Sequence, residues 1–323
     1  MPVSSFLKYA KQNHYHSIMA SLAGEADLDS LVGSLMQQLK TNPPEWLTTP
    51  QTTPDAATSA AINAIASVQT SNPTSQSETK SHETTEHNEH HQKILQVRKN
   101  WPNERPKCTA TPTPNWRKIH FVRHGQGTHN LLSQQLGGCS CGPGKDSTKC
   151  PYKDEAVADA YLTPLGQEQA TKNQSFTATL TDLELIYVSP LSRAIETALL
   201  CFPTTTAAFV ANENLREQIG NHCCDRRRSI DIIEKEYPTI DFSALETNED
   251  VLWTEERESK ISVAERSLAF FNMLKKLQYK EIAVVGHSSW LLTMLNVTLD
   301  CGEEKNLEQW FETGELRTIW VDV

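Results

Sequence analysis

The sequence predicts an α/β fold, a three-layer α/β/α sandwich around a mainly parallel sheet, preceded by a partly helical, largely disordered N-terminal segment. Two observations carry this. Three short apolar runs, Lys118–Val122, Leu185–Val188 and Ile282–Val285, are each followed by a helix-like segment, and strands that alternate with helices build a parallel sheet covered on both faces. Each run also ends at a turn carrying polar chemistry: Arg123-His124-Gly125, Ser189-Pro190 and Gly286-His287. Ligands of such sheets gather at the carboxyl ends of the strands.

Composition sets the boundaries of the folded part. Apolar residues make up 38% of the 323-residue chain, and the deficit lies mostly before about residue 110, where Thr, Ser, Asn, Gln and Glu dominate. The expected division is an N-terminal helical segment over 1–45, a low-complexity linker over 46–114 and an α/β domain over 115–323. The last part, roughly 210 residues, is long enough to bury a substantial core.

Within 28–39, Leu28, Leu31, Val32, Leu35, Met36 and Leu39 follow helical spacing behind Asp27 as N-cap. With a second short helix over 5–20 this forms a hairpin that buries too little to stand alone. Two readings follow, a weakly ordered tail or a docking or dimerisation element. Between them and the domain, Thr/Ser/Pro-rich sequence and the histidines His82, His87, His90 and His91 read as an unfolded polar tract.

Charge excludes some partners. The chain carries a net −10, and from Asn115 onward 21 basic residues face 30 acidic ones. Such a surface disfavours nucleic acid and anionic membrane, so an anionic substrate must be drawn by a local basic pocket. No apolar stretch approaches the length of a membrane span or a secretory signal, which makes the cytosol the expected compartment. Eight cysteines in a chain of this length form no dense disulfide framework, and reduced thiols are expected.

The basic and imidazole groups of the strand ends supply that pocket. Arg123 and His124 follow the first strand, His287 the third, and Arg193 falls in the first turn of the helix after Ser189-Pro190. Gly125 lets the backbone turn closely around a ligand. Cations and imidazoles on one sheet edge suit a phosphoryl group.

Arg123-His124-Gly125-Gln126, Ser189-Pro190-Leu191-Ser192-Arg193-Ala194 and Gly286-His287-Ser288 together resemble the histidine phosphatase superfamily, also called phosphoglycerate-mutase-like. The resemblance covers about 115–323. It implies that His124 is the nucleophile, that Arg123, Arg193, His287 and Asn130 bind the phosphate, and that Glu217 of Leu215-Arg216-Glu217 is the general acid. The side-chain chemistry agrees: neutral imidazole attacks phosphorus near pH 7, and arginine forks neutralise the non-bridging oxygens.

The run His222-Cys223-Cys224-Asp225-Arg226-Arg227, with Asp241-Phe242 and Leu252-Trp253, resembles the fungal and plant phosphatase branch. Arg226 and Arg227 are the candidates for binding a second anionic group of a small phosphorylated substrate. The residues after Gly125, Gln126-Gly127-Thr128-His129-Asn130, depart from the Glu-Ser-x-Trp-Asn of typical mutases, which favours hydrolysis. A mutase of the same fold and a non-catalytic phosphate-binding scaffold are the alternatives.

No cofactor or metal is expected. Gly142-Pro143-Gly144-Lys145 fails as a phosphate loop because Cys139 and Asp146 stand where Gly and Ser/Thr are required. Cys139, Cys141 and Cys150 with Cys223 or Cys224 remain an alternative zinc set, although their spacing is not that of a usual ribbon.

Overall fold

The computed structural model describes residues 92–141 and 145–323. The helical expectation for 1–45 and most of the linker lie outside these residues. In chain order the elements run α1 (residues 92–100), β1 (Cys108–Thr109), β2 (Arg117–Arg123), α2 (Thr128–Gln135), α3 (Pro164–Thr171), α4 (Gln174–Thr177) and β3 (Leu185–Val188). They continue with α5 (Ser192–Cys201), β4 (Ala208–Ala211), α6 (Ile230–Glu236), β5 (Ile240–Asp241), α7 (Lys260–Leu274), β6 (Glu281–Gly286), α8 (Ser288–Thr293) and β7 (Leu316–Val321).

The seven strands form one sheet in the order β1-β7-β2-β6-β3-β4-β5. β2, β6, β3, β4 and β5 are mutually parallel, and β7 runs antiparallel to both β2 and β1. Period-two alternation divides the core between the two faces. Ile119, Phe121, Ile282 and Val284 pack with Phe270 and Phe271 of α7 and Trp290 of α8. Val122, Ile186, Val188, Ala283 and Val285 pack with Ala194, Ile195 and Ala198 of α5 and Ile233 of α6. The three-layer sandwich read from the sequence is the fold observed.

The folded part starts earlier than residue 115. On α1 and just past its end, Ile94, Val97 and Trp101 repeat at helical spacing, and Ile94 is fully buried against Ala264, Leu292 and Val297. That stripe is short and sits beside Pro- and Thr-rich sequence, which is why composition assigned it to the linker. The expectation of reduced thiols is also corrected at one pair, since Cys108 and Cys301 form a disulfide across 193 residues. Pairing of β1 with β7 and the Lys107–Asp300 bridge bring the two together.

Local caps fix the helices that carry the site. Thr163 caps α3 by accepting from Gly166 N–H, with Pro164 in the first turn, and Ser259 caps α7 by accepting from Ser262 N–H. α5 has no side-chain cap at its own N-cap residue, Leu191. Asp159 supplies one from a distance, accepting from Ser192 N–H at 2.8 Å and from the Ser192 hydroxyl at 2.6 Å. Gly125 owes its identity to α3 rather than to a ligand: a Cβ there would lie 2.3 Å from Gly166 O, and a Cβ on Gly166 would lie 2.1 Å from Gln126 O.

Candidate active site

Strand register assembles the site. Arg123 of β2 lies opposite Gly286 of β6, and Val285 of β6 opposite Val188 of β3. The next residue on each strand, His124, His287 and Ser189, therefore emerges at one carboxyl edge. Ladder bonds continue into the turns, His124 N–H donating to Gly286 O and Ser189 N–H to Val285 O, both at 3.0 Å. The ring centroids of His124 and His287 are 5.0 Å apart.

Hydrogen bonds set the form of His124. Its Nδ1 lies 2.6 Å from Gly125 O, and because a carbonyl only accepts, Nδ1 carries the proton. The lone pair is then on Nε2, which faces Arg193 Nε at 3.4 Å. Burial, followed by the Arg193 and Arg123 charges, holds the His124 pKa well below the ordinary imidazole value. Neutral imidazole is the form that attacks phosphorus.

His287 is oriented from the neighbouring strand. Its Nε2 lies 2.7 Å from Ser189 Oγ, and its Nδ1 is buried with no hydrogen-bond partner among the described residues. A buried polar atom without a partner costs on the order of 1–3 kcal/mol, so a hydrogen-bond partner beside it is chemically expected. Burial and then Arg193 lower the His287 pKa strongly as well.

Arg193 is fully buried and held from two sides. Nη1 donates to Cys224 O at 2.6 Å and Nη2 to Asp225 Oδ1 at 2.8 Å. Arg257 donates to the other oxygen of Asp225 at 2.7 Å and to Gly220 O at 2.8 Å. Burial would raise the Asp225 pKa, but Arg257 and Arg193 outweigh it and keep the carboxyl below its usual range. Arg123 donates to Phe311 O at 2.6 Å, with its guanidinium 5.6 Å from the Trp310 ring centre.

Glu217 meets the same edge at the start of α8. Oε2 accepts from the Ser288 hydroxyl and Ser289 N–H, each at 3.1 Å, and Oε1 accepts from Gln218 N–H at 2.8 Å. The turn bearing it is clamped by Arg266, which donates to the carbonyls of Asn214, Arg216 and Glu217. Arg216, fully buried, adds a bidentate pair with Asp250 at 2.8 and 2.6 Å and a bond to Asp225 O. A carboxylate on so fixed a turn is positioned without a loop having to order around it.

The other sequence candidates divide. Asn130 caps α2, its Oδ1 accepting from Gly127 N–H at 3.0 Å, which leaves its amide N–H groups as donors. Arg226 pairs with Glu155 and lies 5.2 Å over the Trp253 ring, so no contact among the described residues brings it to His124. Arg227 is turned away: its guanidinium donates to Glu213 and to the carbonyls of Thr247, Asn248, Glu249 and Arg228. Those donors hold the 247–250 loop, and no contact among the described residues brings Arg227 to His124.

Sequence reasoning missed His129, Asp225 and Arg257. His129 is buried 5.7 Å from His124 by ring centres, and burial, with Arg193 next, strongly lowers its pKa. The only signal for Asp225 was an acid directly preceding three arginines, and Arg257 reaches the site from a loop 32 residues further on.

The profile of the histidine phosphatase superfamily, branch 1, matches residues 151–318, and the chain belongs to that superfamily. The matched stretch begins after Arg123-His124-Gly125. The Arabidopsis thaliana "Phosphoglycerate mutase-like protein" is 34% identical over 245 residues, covering 65% of this chain and 86% of the relative. An Arthroderma benhamiae protein named "Probable phosphoglycerate mutase" is 34% identical over 155 residues, 44% of this chain and 45% of its own. These plant and fungal relatives agree with the branch that the His222–Arg227 run resembles. The alpha-ribazole phosphatase of Shigella flexneri aligns at 19% identity with a TM-score of 0.41, over 62% of this chain and 89% of that chain.

Proposed function

We propose that the chain is a phosphomonoesterase that works through a phosphohistidine on Nε2 of His124. The observation that carries this reading is the single tautomer of His124, with Nδ1–H fixed on Gly125 O and the Nε2 lone pair aimed at Arg193. A phosphate docked against both Nε2 and the Arg193 guanidinium meets the nucleophile and a cation at once. Arg123, the Asn130 amide and His287 complete its cage, His287 accepting from the Ser189 hydroxyl at Nε2 and donating from Nδ1.

In the first step Nε2 bonds to phosphorus and the ester P–O bond breaks, with Glu217 giving its proton to the departing alkoxide. In the second, Glu217 takes a proton from water as the oxygen attacks phosphorus, and the P–N bond returns its electrons to Nε2. Charge spread over the non-bridging oxygens makes electrostatic positioning the main contribution of the protein. The substrate is a small phosphorylated molecule.

Brief reaction of the full chain with an aryl phosphate and denaturing quench should trap an acid-labile, alkali-stable phosphoryl group on His124. His124→Ala should lose both the label and nearly all turnover, and full turnover in that variant would overturn the proposal. The names of the plant and fungal relatives leave isomerisation as the second reading. Phosphoglycerate should release inorganic phosphate faster than it isomerises, as Gln126-Gly127-Thr128-His129 in place of a mutase run suggests.

A further inference from the structure

Beside the phosphate site, but outside its chemistry, four soft ligands converge. The ligand atoms of Cys139, Cys141, Cys150 and His222 all lie within 4.8 Å of one another. Cys139 Sγ is 3.5 Å from Cys150 Sγ and 3.7 Å from His222 Nε2, and Cys150 Sγ is 3.9 Å from His222 Nε2. A tetrahedral ion with Zn–S bonds of about 2.3 Å has ligand-to-ligand edges of roughly 3.8 Å. Four soft donors converging at this spacing match the edges of a coordination shell.

We propose that this cluster is a structural zinc site with a Cys3His ligand set. Three thiolates and an imidazole suit zinc by softness and geometry, and four protein ligands leave no position open for substrate. The site clips the 139–150 loop to the turn that begins at His222.

The surroundings of each ligand fit this role. His222 turns Nε2 to the sulfurs and Nδ1 to Asp225 Oδ2, at 3.8 Å an ion-pair rather than a hydrogen-bond distance. A carboxylate behind a metal-bound histidine fixes the ring and raises its basicity. The thiolates receive N–H donors, Cys141 N–H to Cys139 Sγ at 3.4 Å and the Asn221 amide to Cys141 Sγ at 3.6 Å. Trp253 donates to His222 O at 2.9 Å, and the Tyr152 ring packs 5.1 Å from the imidazole.

The loop has little else to hold it. Among the described residues between Leu136 and Cys150 only Cys150 is buried, and their one helical turn is Ser147–Lys149. Segments without a core are commonly held by a crosslink or a metal. A Cys139–Cys150 disulfide is the competing crosslink, but it uses two of the four converging atoms and gives no role to Cys141 or His222. Cys223 and Cys224, the partners considered from the sequence, point elsewhere: Cys223 Sγ donates to Lys153 O, and Cys224 Sγ lies 3.7 Å from Asp225 Oδ1.

The link to catalysis is physical. Asp225, behind the zinc-bound histidine, is also the carboxylate that holds Arg193 against His124. The metal therefore braces the phosphate-binding arginine without touching substrate.

The test is elemental analysis of the untagged full chain, expressed with zinc supplementation and desalted. About one zinc per chain is expected, falling below a tenth in Cys141→Ser and in His222→Ala. Cobalt exchanged into the wild-type chain should give thiolate charge-transfer absorption with intense visible d–d bands, a readout that does not depend on any variant folding. Less than a tenth of an equivalent of zinc in the wild type, or a mapped Cys139–Cys150 disulfide in the active protein, overturns the proposal.

Discussion

Arg193 and Asp225 form a buried ion pair of 2.8 Å that reaches His124, the proposed nucleophile, because the same guanidinium directs Nε toward the His124 ring. Asp225 also takes Arg257 on its second oxygen. One carboxylate thus offsets two cations beside His124, in the site proposed to take a dianionic phosphate. Too much negative charge would repel that phosphate, and too little would leave the arginines unanchored.

Asp225→Asn tests this balance. The amide keeps the shape but removes the charge, leaving Arg193 and Arg257 with a weak partner each. Breaking a buried pair from one side costs about 3–5 kcal/mol in stability. With an aryl phosphate, kcat/KM should fall on the order of tens-fold, as expected when a charged group is mispositioned by about an ångström. Unchanged kcat/KM and unchanged vanadate inhibition would show that Asp225 does not position Arg193.

Acid should switch the enzyme off later than an ordinary histidine would predict. Burial together with Arg193 and Arg123 lowers the His124 pKa, so the neutral nucleophile persists to lower pH. His287 shifts in the same direction, through burial and then the Arg193 charge. The acid limb of kcat/KM against pH, which reports the free enzyme, should lie well below 6.5. A limb at or above 6.5 contradicts the geometry.

Much of this site was legible because it is built from strand ends. Lys118–Val122 and Ile282–Val285 are apolar runs with histidine just beyond, and parallel pairing in register obliges such residues to meet. What could not be read was chemistry delivered by loops. His222 joins Cys139 only because the 220–225 turn folds back, Arg257 reaches Asp225 from the next loop, and Cys108 finds Cys301 across nearly the whole domain. Loop conformation depends on tertiary bonds with no local periodicity. Arg227 shows the converse, since a run of three arginines gives no sign of which guanidinium is already occupied by backbone carbonyls.

Lys260 gives the folded state a pH dependence of its own. Its ammonium is buried at the start of α7, donating to Gln218 Oε1 at 2.8 Å and to the Ser289 hydroxyl. Burial pushes its pKa from the ordinary 10.5 down to about 7, against the pull of Glu217 in the other direction. Between these values the unfolded chain holds a proton that the folded chain lacks, so stability rises with pH across that window. Below about 7 both states are charged and the whole desolvation cost falls on the folded state, with an upper bound of about 5 kcal/mol. Lys260→Met removes this dependence. The urea midpoint of the variant should exceed that of the wild type most at pH 6, with the gap closing toward pH 9; a gap independent of pH would mean that Lys260 stays charged in the folded protein throughout.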